Sequence, residues 1–126
     1  MSDELTYAET ADSATRAATA LGLSITFDER DETLYARITA PGDLPGEVGF
    51  STHGTGAYLV DFDNGRWSWQ LTAYDRADQL DAVTQILTVA NAYLHGEGRE
   101  QDEKRRWRSD RKVMILTVDN EKITLH

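Results

Sequence analysis

None of the 126 residues is a cysteine. Disulfide frameworks, thiolate zinc sites and cysteine nucleophiles are therefore excluded. No apolar run approaches the ~20 residues that a membrane-crossing helix needs. The start, Met1-Ser2-Asp3-Glu4, is acidic and lacks the basic-then-apolar layout of a secretory signal. These absences point to a cytoplasmic chain with no membrane partner. Proline is scarce as well. Both prolines, Pro41 and Pro45, fall with Gly42 and Gly46 in one short stretch, which reads as a loop carrying the chain across the fold. The three histidines, His53, His95 and His126, lie in separate segments with no metal-ligand spacing. The glycine-rich phosphate-binding patterns do not occur. No metal and no cofactor is expected.

Positive charge is in short supply: 13 Lys and Arg face 22 Asp and Glu, a net charge of −9. Residues 1–98 hold 5 basic and 16 acidic residues, whereas residues 99–112 hold 7 basic and 4 acidic. So acidic a body repels phosphate backbones, so nucleic acid is not an expected partner. The same surface suits a basic protein. The one basic aromatic cluster is Lys104-Arg105-Arg106-Trp107-Arg108, continuing to Arg111-Lys112. Acids at Glu100, Asp102, Glu103 and Asp110 interrupt it. It reads as a connector that docks on an acidic surface, of its own chain or of a second subunit.

What is present is local patterning. Thr6 and Glu9 have capping-box spacing. Tyr7, Ala11, Ala14, Ala18 and Leu21 then form an apolar stripe, with Thr10 at its solvent edge, and Gly22 stops the helix. Two alternating runs follow: Leu23, Ile25 and Phe27, then Leu34, Ala36 and Ile38. A turn at Arg30-Asp31 would set Phe27 opposite Leu34. A short strand is expected around Val48 and Phe50. Asn64-Gly65 is a favoured type I′ pair, and it predicts a hairpin with Phe62 opposite Trp67, Val60 opposite Trp69 and Tyr58 opposite Leu71. Asp63 and Arg66 would close it as an ion pair.

Residues 76–94 predict a long helix capped by Asp75. Its stripe of Leu80, Val83, Leu87, Ala90 and Leu94 is broadened by Ile86, Val89 and Tyr93, so other elements or a second copy must clasp it. Residues 96–112 read as a charged connector, with a short exposed helix ending near Trp107 supported by Glu100–Lys104 and Asp102–Arg106 pairs. A final hairpin turns at Asp119-Asn120. Its first strand has two apolar faces and belongs inside a sheet. The expected fold is a single α+β domain spanning residues 1–126. Its antiparallel sheet has roughly five to seven strands built from hairpins, with an N-terminal helix and a main helix packed on one face.

Three functional readings arise. In the first, the protein is a non-catalytic binding module whose acidic surface captures a protein partner, with Asp28, Glu29, Asp31, Glu32 and Asp61 as contacts. In the second, a small molecule sits between sheet and main helix near Trp67, Trp69 and His53. In the third, His53 serves a small hydrolase, which needs an acid such as Asp61 or Asp63 oriented on its ring. In element order the chain resembles small bacterial immunity proteins, phage-encoded inhibitors and secretion-chaperone-like domains, which pack helices on a curved antiparallel sheet. That resemblance implies the first reading, for a monomer or homodimer, and carries over no site residue.

Overall fold

The computed structural model describes residues 4–42, 46–103 and 111–126. The basic aromatic cluster at 104–108 and the expected helix end near Trp107 lie outside them.

Helix α1 (Tyr7–Leu21) starts as its sequence indicates. Thr6 Oγ1 accepts the Glu9 N–H at 3.1 Å, and the Glu9 carboxylate accepts the Thr6 N–H at 3.2 Å. Gly22, with φ of 74°, ends it in the left-handed region. The buried face is rotated from the expected one, because Thr10 is buried beside Ala14 and Ala18. Its hydroxyl donates to the Thr6 carbonyl at 3.0 Å, so its burial leaves no polar atom unsatisfied. The small side chains let α1 pack against both the second helix and the first strand.

Five antiparallel strands follow: β1 (Ser24–Arg30), β2 (Thr33–Thr39), β3 (Val48–Thr52), β4 (Ala57–Phe62) and β5 (Trp67–Thr72). Their order in the sheet is their order in the chain. The first turn falls at Asp31-Glu32, both at positive φ, one residue later than expected. Phe27 therefore pairs with Ala36, and Glu29 with Leu34. A turn displaced by one residue shifts the ladder by two, which changes every pair yet keeps every side chain on its face. The β4–β5 register is the expected one, Phe62 with Trp67, Val60 with Trp69 and Tyr58 with Leu71. The Asp63–Arg66 ion pair does not form. The Asp63 carboxylate turns inward to accept the Glu47 N–H at 3.1 Å and the Tyr93 hydroxyl. Arg66 instead reaches Glu100 at 2.5 Å.

Helix α2 (Arg76–Leu94) is capped by the Asp75 carboxylate, which accepts the Asp78 N–H at 2.8 Å. Leu80, expected in the central stripe, is 37% exposed, and Gln79 is 1% exposed in its stead. Gln79 Oε1 accepts the Leu5 N–H at 2.7 Å, and its Nε2 donates to the Ala73 carbonyl at 3.2 Å. A buried amide with both ends engaged ties the entry of α1 to the entry of α2.

The remaining strands are β6 (Arg99–Glu103), β7 (Arg111–Val118) and β8 (Glu121–Leu125), in a second antiparallel sheet with β7 in the centre. The expected exposed helix is corrected here, since residues 99–103 form a strand. Pairing sets Asp102 opposite Lys112 and Glu103 opposite Arg111, so residues of opposite charge occupy facing positions across strands rather than successive turns of a helix. The β7–β8 turn is at Asp119-Asn120, as the sequence indicates. The two sheets meet where Ser68 N–H donates to the His126 carbonyl at 2.8 Å and His126 N–H to the Ser68 carbonyl at 3.0 Å.

The fold is thus α+β, with two helices and eight strands in two antiparallel sheets. A contiguous core joins Phe50 and Phe62 of the large sheet, Val83, Ile86 and Leu87 of α2, and Leu116 and Leu125 of the small one. The broad apolar surface of α2 is clasped within the chain.

Candidate functional site

The core lies on one face of the five-stranded sheet. On the other face, two rows of residues run across all the strands. One is Thr26, Arg37, Gly49, Asp61 and Ser68; the next is Asp28, Tyr35, Ser51, Leu59 and Gln70. Among the described residues no helix covers them, and Leu59 and Tyr35 are 50% and 39% exposed. An open groove of about 610 Å³ runs over the first four strands and the start of the β4–β5 turn.

Charge in this groove is nearly balanced. Asp28 pairs with Arg30 at 2.6 Å, and the Arg30 guanidinium lies 4.7 Å from the centre of the Tyr35 ring. Arg37 pairs with Glu47. Asp61 is the third carboxylate, and no hydrogen bond or ion pair within the described residues engages it. Its pKa is held above the ordinary aspartate value, first by partial burial and then by the Glu47 carboxylate, with Arg37 acting in the opposite direction.

Glycine makes the room. A Cβ at position 49 would lie 3.3 Å from both the Ala36 carbonyl oxygen and Asp61 Oδ1, and 3.5 Å from Asp61 Oδ2. Gly49 is therefore a dip in the groove floor, with the Asp61 carboxylate leaning over it.

The sequence candidates are dispersed. Asp28 and Asp61 line the groove, whereas Glu29, Asp31 and Glu32 are exposed at the tip of the β1–β2 hairpin. The Tyr7 hydroxyl donates to the Glu32 carbonyl, anchoring that tip to α1. His53 Nδ1 is hydrogen-bonded to the Thr33 hydroxyl at 2.9 Å, so a hydroxyl rather than a carboxylate orients its ring. His53 follows Thr52, which pairs with Tyr58, at the opposite end of the sheet from Trp67. Trp67 is 5% exposed within the core, with Arg66 over its ring. Trp69 is half-buried beside a shallow hollow at the β5–β8 seam. Phe50, Phe62, Val83, Ile86 and Leu87 pack the space between sheet and α2 where a ligand was expected. Trp67, Trp69 and His53 are not brought to one place.

Sequence reasoning missed Arg37, Glu47 and Gly49. The available signal was the glycine inside a strand, which often marks a close approach. No group of three or more His, Asp or Glu residues able to hold a metal occurs among the described residues. No helix among them is long and apolar enough to cross a membrane. Comparisons with protein-family models, curated proteins and solved structures found no match.

Proposed function

We propose that the protein is a non-catalytic binding module that takes a basic protein partner on the outer face of its five-stranded sheet, in the manner of an immunity protein, inhibitor or chaperone-like adaptor. The observation that carries this reading is the Asp61 carboxylate, without an ion-pair partner among the described residues, at the floor of an open groove whose other two carboxylates already hold cations. An arginine or lysine side chain laid over Gly49 balances that charge. Leu59 and Tyr35 offer apolar surface beside it. Glu29, Asp31 and Glu32 at the hairpin tip, within a body of net charge −9, draw a basic partner in and speed its encounter.

The test uses a short oligoarginine peptide as probe, titrated into the labelled protein and followed by backbone amide shifts. Shifts confined to the two outer rows, weakened by salt and lost in Asp61→Arg, support the reading. Shifts spread evenly over the acidic surface, or an Asp61→Arg variant that binds as the wild type does, overturn it.

A further inference from the structure

The strand system has outer edges of unlike character. The far edge of β5 is joined to the chain end by the Ser68–His126 hydrogen bonds. The outer strand β6 has five residues, Arg99 to Glu103, four of them charged, which is a usual way to protect an exposed edge. The first half of β1 differs. The strand has seven residues with no proline, no lysine and no break in register; its charges, Asp28, Glu29 and Arg30, fall in the second half, and its first half is the uncharged Ser24-Ile25-Thr26-Phe27. Among the described residues, no strand pairs with its outer side.

The hairpin determines which groups that side displays. Asp31-Glu32 is a two-residue turn with both φ values positive, so the flanking Arg30 and Thr33 exchange both backbone hydrogen bonds. Asp28 with Tyr35 and Thr26 with Arg37 then do the same by alternation. The N–H and C=O groups of Ile25, Phe27 and Glu29 consequently point away from β2.

We propose that a second copy of this chain pairs there, β1 against β1, antiparallel about a two-fold axis at Phe27. All the outward backbone groups of both strands are then satisfied. Phe27 meets its own counterpart, Ile25 meets Glu29, Thr26 meets Asp28 and Ser24 meets Arg30, so no like charges stand opposite one another. Ile25 and Phe27, half-buried in one copy, gain cover from the other. A ten-stranded sheet results, two copies of the five-stranded one. Thr26, Asp28 and Arg30 also line the groove, so the pairing sets two grooves side by side on one face. This inference stands on the edge geometry and does not require the basic-partner reading. Salt separates the two: each copy carries a net charge of −9, so screening strengthens self-association while it weakens capture of a cation.

Sedimentation velocity from micromolar to millimolar concentration reads the association directly. The wild type is expected to dimerise, more tightly at higher salt. Glu29→Pro removes an outward N–H without touching the β1–β2 ladder, and it is expected to leave a monomer of unchanged circular dichroism. The chain has no cysteine, so oxidation of Thr26→Cys/Asp28→Cys reads the register cleanly. Facing residues in a non-hydrogen-bonded pair are close enough for a disulfide. The double variant is expected to crosslink at least about tenfold more than Thr26→Cys alone. A monomer at every concentration overturns the proposal. So does a dimer that survives Glu29→Pro, or equal crosslinking by the single and double variants.

Discussion

Asp61 and Gly49 face each other in the β3–β4 ladder, and the absent side chain at 49 leaves space for the carboxylate at 61. The neighbouring Arg37 lowers the Asp61 pKa but is ion-paired with Glu47, so no cation among the described residues forms an ion pair with this carboxylate. A feature built from four residues on three strands and one loop thus gives the outer sheet face a carboxylate with no ion pair among the described residues.

Gly49→Ala tests that space. The added Cβ, 3.3 Å from both Asp61 Oδ1 and the Ala36 carbonyl oxygen, fills the dip and shifts the carboxylate by a few tenths of an ångström. Stability is expected to stay within about 1 kcal/mol of the wild type. Oligoarginine affinity is expected to fall by about two- to fivefold, the scale of one exposed ion pair. Calorimetric titration and urea unfolding of the same sample separate the two effects.

The raised pKa of Asp61 has a definite sign in stability. A carboxyl group that holds its proton more firmly when folded favours the fold at low pH, and that contribution is lost as pH rises through the raised value. Asp61→Asn has no such loss. Urea unfolding across acidic pH should show the variant gaining on the wild type as pH rises through this range. Oligoarginine binding to the wild type should weaken as pH falls through the same range, because only the ionised form attracts a cation.

Gln79→Leu tests the tie between the two helix entries. It leaves the buried Leu5 N–H and Ala73 carbonyl without their partners. The expected loss is about 2 to 4 kcal/mol. The thermal unfolding midpoint should fall by about 8 to 15 °C.

Ser68→Pro tests the seam between the sheets. The lost N–H is the one donated to His126, on the side away from β4, so the β4–β5 ladder survives. A loss of about 1 to 2 kcal/mol is expected. Hydrogen exchange should show β8 amides opening before those of β3 and β4.

Much of the fold could be read locally. The Thr6–Glu9 capping box, the Asp75 cap and the Asn64-Gly65 hairpin each depend on side chains within a few positions of the backbone they shape. The β1–β2 register was harder, because both Arg30-Asp31 and Asp31-Glu32 put the same residues inside and alternation does not distinguish them. Residues 99–103 carry no apolar alternation, and their strand state comes from the edge and opposite charges that β7 presents. Thr10 and Leu80 exchange their expected environments because helix–helix packing, not the stripe alone, selects the buried face.

From residue order alone follow the α+β class, the alternating faces and the acidic balance, since each arises from neighbours in the chain or from simple counting. Asp61 already stood out there as an exposed acid. Its isolation did not, because the balance of charge around it depends on Arg37, Glu47 and Gly49. Those residues become its neighbours only when β2, β3 and β4 lie side by side.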